Sequence, residues 1–288
     1  MLETGLRTSH TKTITKNMSK TLFITGSSSG IGKETVKLFA SKGWNVAATL
    51  RNPENESELQ KLPGVTLLKL DVTQPESITK AVNQAIEIYG KIDVLVNNAG
   101  FGVFGAFEPA GEDQILKQFD TNLFGLMRVT RELLPHFRQN KQGNIINVSS
   151  IAGRLTFPFF SIYHASKFAV EGFSESLYYE LRPYGIKIKL IEPGPIKTNF
   201  DGRSMDHTAS PYLSEYERAS SITNQFYQLM YRYAESPQKV AETIWKAANS
   251  NSHKLRYPSG HLAKLTLMLM KLSPLWKQRW LLRKLIKI

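Results

Sequence analysis

The sequence is 288 residues long, contains no cysteine and carries a formal net charge of +13. The length exceeds the usual size of one domain, but single α/β domains reach it and can bury a large core. The lack of cysteine excludes a disulfide framework, thiol catalysis and cysteine-ligated metals, and the six histidines show no clustered ligand spacing, so we predict no metal.

The positive charge is concentrated at the two ends of the chain. Residues 254–288 contain nine Lys or Arg and no Asp or Glu, and residues 1–20 contain four Lys or Arg against one Glu. The body between them is therefore nearly neutral. A nucleic-acid enzyme is expected to carry a basic stripe beside its working site, so we predict no nucleic-acid partner.

The first 18 residues are rich in Thr, Ser and Lys and lack the apolar core of a secretory signal. We predict a disordered tail over 1–18, with Met18 as an alternative natural start. A transit peptide is the less favoured interpretation.

A glycine-rich turn, Thr25-Gly26-Ser27-Ser28-Ser29-Gly30-Ile31-Gly32, follows the first apolar run. A strand, a glycine turn and a helix N-terminus in this order let backbone N–H groups approach a pyrophosphate. The motif therefore predicts a dinucleotide site. Lys42-Gly43 is typical of the end of the helix that follows.

Residues 19–258 alternate short apolar segments with longer amphipathic ones, which predicts a parallel sheet covered by helices on both faces. The predicted strands are 21–25, 45–50, 66–70, 94–97, 144–149, 187–191 and 253–257. The run Thr73-Gln74-Pro75-Glu76 is typical of a capping box at a helix start.

The end of the second predicted strand indicates the cofactor. NAD-preferring dinucleotide folds place Asp or Glu there, but this chain has Leu50 followed by Arg51. A guanidinium matches a 2′-phosphate in charge and geometry, and the hydroxyls of Ser27 and Ser28 are further candidate donors. We therefore predict NADP(H).

Tyr163 and Lys167 lie four residues apart, and Tyr163 follows Ser150 by thirteen residues. On a helix this spacing places both side chains on one face. A nearby cation favours the phenolate and lowers a phenol pKa from its usual value of about 10. Tyr163 is thus a candidate general acid or base.

Residues 259–288 form a basic amphipathic extension in which Leu262, Leu265, Leu269 and Leu272 recur at helical spacing. Lysines interrupt every window long enough to span a bilayer, so we predict no transmembrane helix. Two interpretations stay open: a helix docked on the fold, which we favour, and a segment lying in a membrane interface.

The glycine turn, the run Asn97-Asn98-Ala99-Gly100 and the Tyr163-x-x-x-Lys167 spacing together resemble the classical short-chain dehydrogenase/reductase (SDR) family, over about residues 20–257. The likeness is nearest to its 17β-hydroxysteroid dehydrogenase-like branch. It implies a single α/β Rossmann-fold domain with a doubly wound, seven-stranded parallel sheet in the order 3-2-1-4-5-6-7.

The resemblance also implies the site residues. In its catalytic set Tyr163 exchanges the proton, Ser150 orients the substrate carbonyl, Lys167 binds the nicotinamide ribose, and Asn122 holds a water in a proton relay. Asp71 is expected near the adenine, and Ile196 and Thr198 near the carboxamide. The implied cofactor-binding residues are Gly26, Ser27, Ser28, Ser29, Gly30, Ile31, Gly32, Arg51, Asp71, Val72, Asn98, Ala99, Gly100, Tyr163, Lys167, Pro193, Gly194, Ile196 and Thr198.

Aromatic residues gather where the resemblance places the substrate, and they favour a lipophilic alcohol or ketone of steroid, retinoid or fatty-chain type. They are Phe101, Phe104, Phe157, Phe159, Phe160, Tyr212, Tyr216, Phe226 and Tyr227. We expect a cytoplasmic, homo-oligomeric (dimeric or tetrameric) NADP(H)-dependent carbonyl reductase, with peripheral membrane contact if the C-terminal segment is interfacial. The alternatives are a 3-oxoacyl-[acyl-carrier-protein] reductase and a non-catalytic NADP-binding scaffold.

Overall fold

A computed structural model describes residues 19–197, 205–208 and 214–272, together with positions 277, 280, 283 and 284. The predicted N-terminal tail and two predicted site residues, Thr198 and Tyr212, lie outside these ranges.

The described residues form nine strands. They are β1 Thr21–Ile24, β2 Asn45–Leu50, β3 Val65–Lys69, β4 Val94–Asn97, β5 Gly102–Phe104, β6 Gly143–Val148, β7 Ile186–Pro193, β8 Met205–His207 and β9 Arg256–Ser259. Seven of them make one parallel sheet in the order β3-β2-β1-β4-β6-β7-β9. This order confirms the predicted fold and strand arrangement. Strands β5 and β8 pair separately, and their three residues each are too few to give a sequence pattern.

The strand ends differ from the prediction by small amounts, with the largest difference at β9. Pairing with β7 begins only where Leu190 meets Arg256, so the strand predicted at 253–257 starts three residues too early and ends two residues too early. The predicted domain end at 258 therefore falls inside β9, whose Ser259 still pairs with Pro193.

Eight α-helices are described: α1 Gly30–Ser41, α2 Pro75–Tyr89, α3 Glu112–Phe119, α4 Leu126–Gln139, α5 Ser161–Leu181, α6 Ser214–Arg232, α7 Pro237–Asn249 and α8 His261–Leu272. A π-helical stretch, Asp120–Gly125, joins α3 to α4. Single 3-10 turns occupy Pro53–Asn55, Leu59–Lys61, Ile151–Gly153 and Arg182–Tyr184.

Two apolar cores lie on opposite faces of the sheet. Phe23 of β1 points into the core formed with α2, α4 and α5, whereas its neighbours Leu22 and Ile24 point into the core formed with α1 and α7. Alternate residues of a strand face opposite sides, so a strand buried on both faces is apolar throughout. This packing holds the carboxyl ends of the strands along one edge, where the turns meet.

Of the two helix-end signals predicted from the sequence, one was correct and one was wrong. Helix α1 ends at Ser41, and Gly43 has a φ of +76°, as the Lys42-Gly43 signal predicted. The predicted capping box was wrong: Gln74 is the N-cap residue of α2, and no side chain caps it. The Thr73 hydroxyl instead donates to Asp71 Oδ1 at 2.8 Å.

Helix α8 packs on the fold through Ala263, which is fully buried. The predicted leucine stripe is not the docked face, because Leu265, Leu269 and Leu272 are all at least half exposed. Within the part of the chain that the structure describes, no helix is both long enough and apolar enough to cross a bilayer.

Candidate active site

A cavity of about 840 Å³ opens at the carboxyl ends of the sheet strands. Turns that follow β1, β2, β3, β4, β6 and β7 supply its walls, and α5 and α6 close one side. Ligands of open parallel sheets bind at this edge, in the crevice where the strand order reverses.

The glycine turn depends on close backbone approach. Gly26 has a φ of +71°, and a Cβ there would lie 2.8 Å from the Cα of Ala99. A Cβ at Gly32 would collide with the carbonyl oxygen of Gly26. Both positions therefore require glycine, although Gly32 itself does not line the cavity.

Asn98 joins this turn to the one after β4. Its Nδ2 donates to the carbonyl oxygens of Thr25 at 3.1 Å and Gly26 at 2.9 Å, and its backbone N–H donates to Thr25 Oγ1 at 3.0 Å. The Thr25 hydroxyl also accepts the N–H of Ala99. The site role of Thr25 was missed from the sequence, where it reads as an ordinary strand residue.

The three serines of the turn differ in orientation. Ser28 and Ser29 line the cavity with Gly30 and Ile31. Ser27 is fully buried and its hydroxyl donates to the Ile24 carbonyl at 3.4 Å, so its predicted role as a hydroxyl donor toward the cofactor was wrong. No side chain caps the N-terminus of α1, and its first turn contains no acidic residue, which suits an anion.

The ends of β2 and β3 complete this half of the cavity. Leu50 is buried, and Arg51 is exposed at the cavity wall. Asp71 and Val72 also line it, and Asp71 Oδ1 accepts from the backbone N–H of Thr73 at 2.9 Å. Backbone donors at one end and a guanidinium at the other fit a dinucleotide that carries a 2′-phosphate.

Three predicted catalytic residues meet across the other half. Helix α5 carries Tyr163 and Lys167 one turn apart, and Ser150, just beyond β6, hydrogen-bonds the side chain of Tyr163. The Lys167 Nζ donates to the carbonyl oxygen of Val148 at 3.0 Å and lies 5.9 Å from the centroid of the Tyr163 ring.

Burial sets the protonation of this pair. It raises the pKa of Tyr163 to about 12, against the hydrogen bond from Ser150, and it lowers the pKa of Lys167 to about 8, against the charge of Glu171. The expected lowering of the Tyr163 pKa by Lys167 was therefore wrong. Desolvation disfavours both charged forms, so Tyr163 is held as a neutral phenol, the form that donates a proton.

Asn122 lies behind the cavity rather than in its wall. It is buried in the π-helical stretch, and its side chain binds the backbone of Phe101 and the hydroxyl of Ser166. A Cβ on Gly100 would lie 3.0 Å from Asn122 Oδ1 and 3.9 Å from Lys167 Nζ. Asn122 thus holds the turn after β4 close to the lysine, and the water relay stays a prediction.

His164 has a positioning role that the sequence did not reveal. It is buried, its Nδ1 lies 2.8 Å from the carbonyl oxygen of Ala152, and its Nε2 lies 2.8 Å from the backbone N–H of Phe157. Because the amide must donate to Nε2, the proton is assigned to Nδ1. Burial lowers the His164 pKa, so the neutral ring holds the Ser150 loop against α5.

The aromatic prediction was correct for five side chains: Phe101, Phe157, Phe160, Phe226 and Tyr227 line the cavity. Three others do not. Phe104 packs on Phe160 from behind with ring centroids 4.8 Å apart, Phe159 packs near Tyr216, and the Tyr216 hydroxyl bonds Glu108 at 2.8 Å. Five further lining residues come from α3, β8 and α6 and carry no motif: Lys117, Met205, Asp206, Thr223 and Met230.

The turn after β7 closes the site. Pro193, Gly194 and Ile196 line the cavity, and their contact with the nicotinamide stays a prediction. Thr198 is outside the described residues. Over the described ranges, no group of three or more metal-ligating side chains comes together.

Comparisons with known proteins agree on one family. The family model described as short chain dehydrogenase matches residues 20–209. A 3-ketodihydrosphingosine reductase of Bacteroides thetaiotaomicron is 36% identical over 248 residues, which cover 85% of this chain and 89% of that protein.

Solved structures show the same architecture. A short-chain dehydrogenase from Streptomyces avermitilis superposes with a TM-score of 0.80 at 34% identity, covering 89% of this chain and 94% of that one. ElxO with NADP bound gives a TM-score of 0.70 at 27% identity and covers 85% of this chain and 100% of that one. More distant structures of this fold include complexes with NADP and with NAD.

Proposed function

The chain belongs to the short-chain dehydrogenase family of oxidoreductases, and we propose that it is an NADP(H)-dependent reductase that converts a lipophilic ketone into a secondary alcohol. The observation that carries the proposal is the meeting of Tyr163, Ser150 and Lys167 in a cavity whose other wall is aromatic.

Each side chain has a separate role in the proposed reaction. When bound, the nicotinamide supplies the hydride. Tyr163 donates the proton to the carbonyl oxygen, since its raised pKa keeps the phenol protonated at neutral pH. Ser150, within hydrogen-bonding reach of Tyr163, orients the same oxygen. Donors aimed at a developing oxyanion are worth more in a site that excludes water.

Lys167 and Asn122 act from behind the phenol. We assign Lys167 to binding the nicotinamide ribose and to the supply of a proton to Tyr163. We assign Asn122 to the water relay that returns a proton to Lys167. The amide of Asn122 fixes the turn that carries Gly100, next to the lysine, at hydrogen-bond distances. Hydrogen-bonded residues that support a catalytic side chain from behind keep it in position.

The apolar wall supports the substrate class. Phe157, Phe160, Phe226 and Tyr227 come from the loop before α5 and from α6, and they lie on the Tyr163 side of the cavity. Aromatic rings stabilise large apolar groups by burial. The relative from Bacteroides thetaiotaomicron, named as a 3-ketodihydrosphingosine reductase, is consistent with this choice.

Arg51 supports NADP(H) over NAD(H). It directly follows β2, at the place where a carboxylate would repel a 2′-phosphate. The similar structure of ElxO contains bound NADP. Cofactor choice among distant members of the fold varies, so the proposal depends on Arg51.

A 3-oxoacyl-[acyl-carrier-protein] reductase is the second candidate, since nine basic residues and no acidic ones in 254–288 suit an acidic carrier. A homo-oligomer is expected from the family. A non-catalytic scaffold is less favoured, because all four catalytic residues are present. We propose residues 19–258, extended to Ser259 so that β9 is complete, as the catalytic domain.

The test is a substrate panel with NADPH. It includes 3-ketodihydrosphingosine, a keto-steroid, a retinal and a 3-oxoacyl thioester. The rate of NADPH oxidation is measured with each substrate. The proposal predicts kcat/KM at least tenfold higher for a free lipophilic ketone than for the thioester. A clear preference for the thioester selects the second candidate, and no turnover of any carbonyl by the folded, NADPH-binding protein contradicts both reductase assignments.

A further inference from the structure

Helix α8 presents an apolar stripe away from the fold. Leu265, Met268, Leu269 and Leu272 are 50%, 53%, 52% and 77% exposed, and their spacing places them on one side of the helix. Single exposed apolar residues are ordinary, but a contiguous patch of this kind marks an interaction site.

The opposite side of α8 is fixed to the protein. Ala263 is fully buried, and a Cβ on Gly194 would lie 3.5 Å from its Cβ. At the first turn, Glu235 Oε1 accepts the backbone N–H of His261 at 2.6 Å. The stripe therefore faces away from the fold on a docked helix.

Positive charge borders the stripe. Lys264 and Lys271 are exposed and lie seven residues apart, so they share one flank of the helix. Further along, Trp280 is 54% exposed with the Lys284 ammonium 4.2 Å from its ring centroid. Lysines beside an apolar stripe can place their ammonium groups at a lipid headgroup layer while the apolar side chains enter the acyl boundary.

We propose that this outward face of α8, Leu265, Met268, Leu269 and Leu272 with Lys264 and Lys271, docks on the surface of an anionic lipid bilayer. Charge complementarity selects this occupant. Pairing of the face with a second copy would bring two lysine-bearing flanks together, and residues 254–288 contain no acidic side chain to neutralise them.

The docked helix is connected to the catalytic cavity. Glu235, which holds the start of α8, also donates its backbone N–H to the Pro195 carbonyl at 3.1 Å and accepts from the Lys197 N–H at 2.7 Å. Pro195 lines the cavity. Binding through α8 therefore places the site beside a phase in which lipophilic ketones concentrate, a consequence that rests on the proposed function, whereas bilayer binding itself does not.

The test is co-sedimentation of the full-length protein with vesicles of phosphatidylcholine alone or mixed with phosphatidylserine. Binding to the mixed vesicles at low salt and its loss at high salt are expected. Met268→Glu combined with Leu269→Glu should weaken binding at least about tenfold, because two apolar groups no longer enter the interface. Lys264→Gln with Lys271→Gln should weaken it by roughly 30-fold, at about 1 kcal/mol per basic residue.

Ile88→Glu, at a 51% exposed position of α2, is the matched control and should leave binding unchanged. The proposal is overturned if the wild-type protein does not bind mixed vesicles at low salt, binds neutral vesicles equally well, or loses binding equally in the control. Loss of self-association, rather than vesicle binding, in the α8 variants would assign the face to a second copy. Turnover is measured separately, so failure of the reductase assignment leaves this result interpretable.

Discussion

Asn122 binds both backbone polar groups of Phe101. The Phe101 N–H donates to Asn122 Oδ1 at 3.0 Å, and Asn122 Nδ2 donates to the Phe101 carbonyl at 2.9 Å. Asn122 lies in the π-helical stretch between α3 and α4, a deviation often found at functional sites. The turn after β4, which forms one cavity wall, is thereby fastened to the next helix.

Asn122→Ala should lower both stability and turnover. Loss of the amide removes both bonds to the partly buried Phe101 backbone, of which only the carbonyl keeps another partner, Gln118, and this costs about 1–3 kcal/mol. We expect that loss in urea unfolding, with a larger effect on kcat than on KM for NADPH. Asn122→Asp keeps an acceptor for the Phe101 N–H and should be intermediate. Unchanged stability and kcat in Asn122→Ala would show that this contact does not support the site.

Tyr163→Phe should reduce kcat by about 10²–10⁴-fold, the usual contribution of a positioned general acid. NADPH affinity, measured by fluorescence titration, should stay within a few-fold of wild type, because the ring and its packing remain. Tyr179→Phe is the control: it removes a hydroxyl from the same helix at a 66% exposed position and should leave kcat unchanged. Near-normal turnover in Tyr163→Phe would exclude the phenol as proton donor.

The sequence predicted the parts of the fold that depend on local pattern. Buried strands such as β2 and β4 are short, apolar and bounded by turns, so their ends were correct. The glycine turn was identified because φ and close approach restrict Gly26 to one residue type. These constraints act within a few residues of the chain.

Features that depend on distant contacts were missed. Thr25 and His164 act through partners on other elements. The buried orientation of Ser27 was also missed, although its partner, the Ile24 carbonyl, lies only three residues away. The Tyr163 pKa was predicted in the wrong direction because spacing reveals the nearby lysine but not the desolvation that raises the pKa. Likewise, periodicity located the stripe on α8 but not the side on which it docks.

Lys167→Met should make the cofactor-free protein more stable near pH 7 while impairing catalysis. Burial lowers the Lys167 pKa from 10.5 to about 8, so below pH 8 the folded state holds a desolvated ammonium. Between pH 8 and 10.5 the unfolded state binds more protons, and wild-type stability therefore rises with pH. The gain in the free energy of unfolding from Lys167→Met near pH 7 is therefore up to about 3 kcal/mol. Loss of the bond from Lys167 to the Val148 carbonyl offsets part of it.

The measurement is urea unfolding of wild type and Lys167→Met at pH 7 and at pH 10. The advantage of the variant should shrink between these values. Lys189, whose pKa burial also lowers to about 8, is present in both proteins and cancels in the difference. A difference in stability that does not change with pH would contradict a lowered pKa at Lys167.

Arg51→Ala should remove most of the preference for NADPH. Arg51 is exposed at the cavity wall after β2, with Leu50 rather than an acid before it. A charge-assisted bond to phosphate is worth about 1.5–3 kcal/mol, so kcat/KM for NADPH should fall roughly 10- to 100-fold. The kcat/KM for NADH should hardly change, because NADH lacks the 2′-phosphate that the guanidinium is proposed to bind. Arg138→Ala on α4 removes the same charge at an exposed position outside the cavity wall and controls for long-range attraction of the cofactor. Wild-type preference for NADH, or an NADPH preference that survives in Arg51→Ala, would overturn the cofactor assignment.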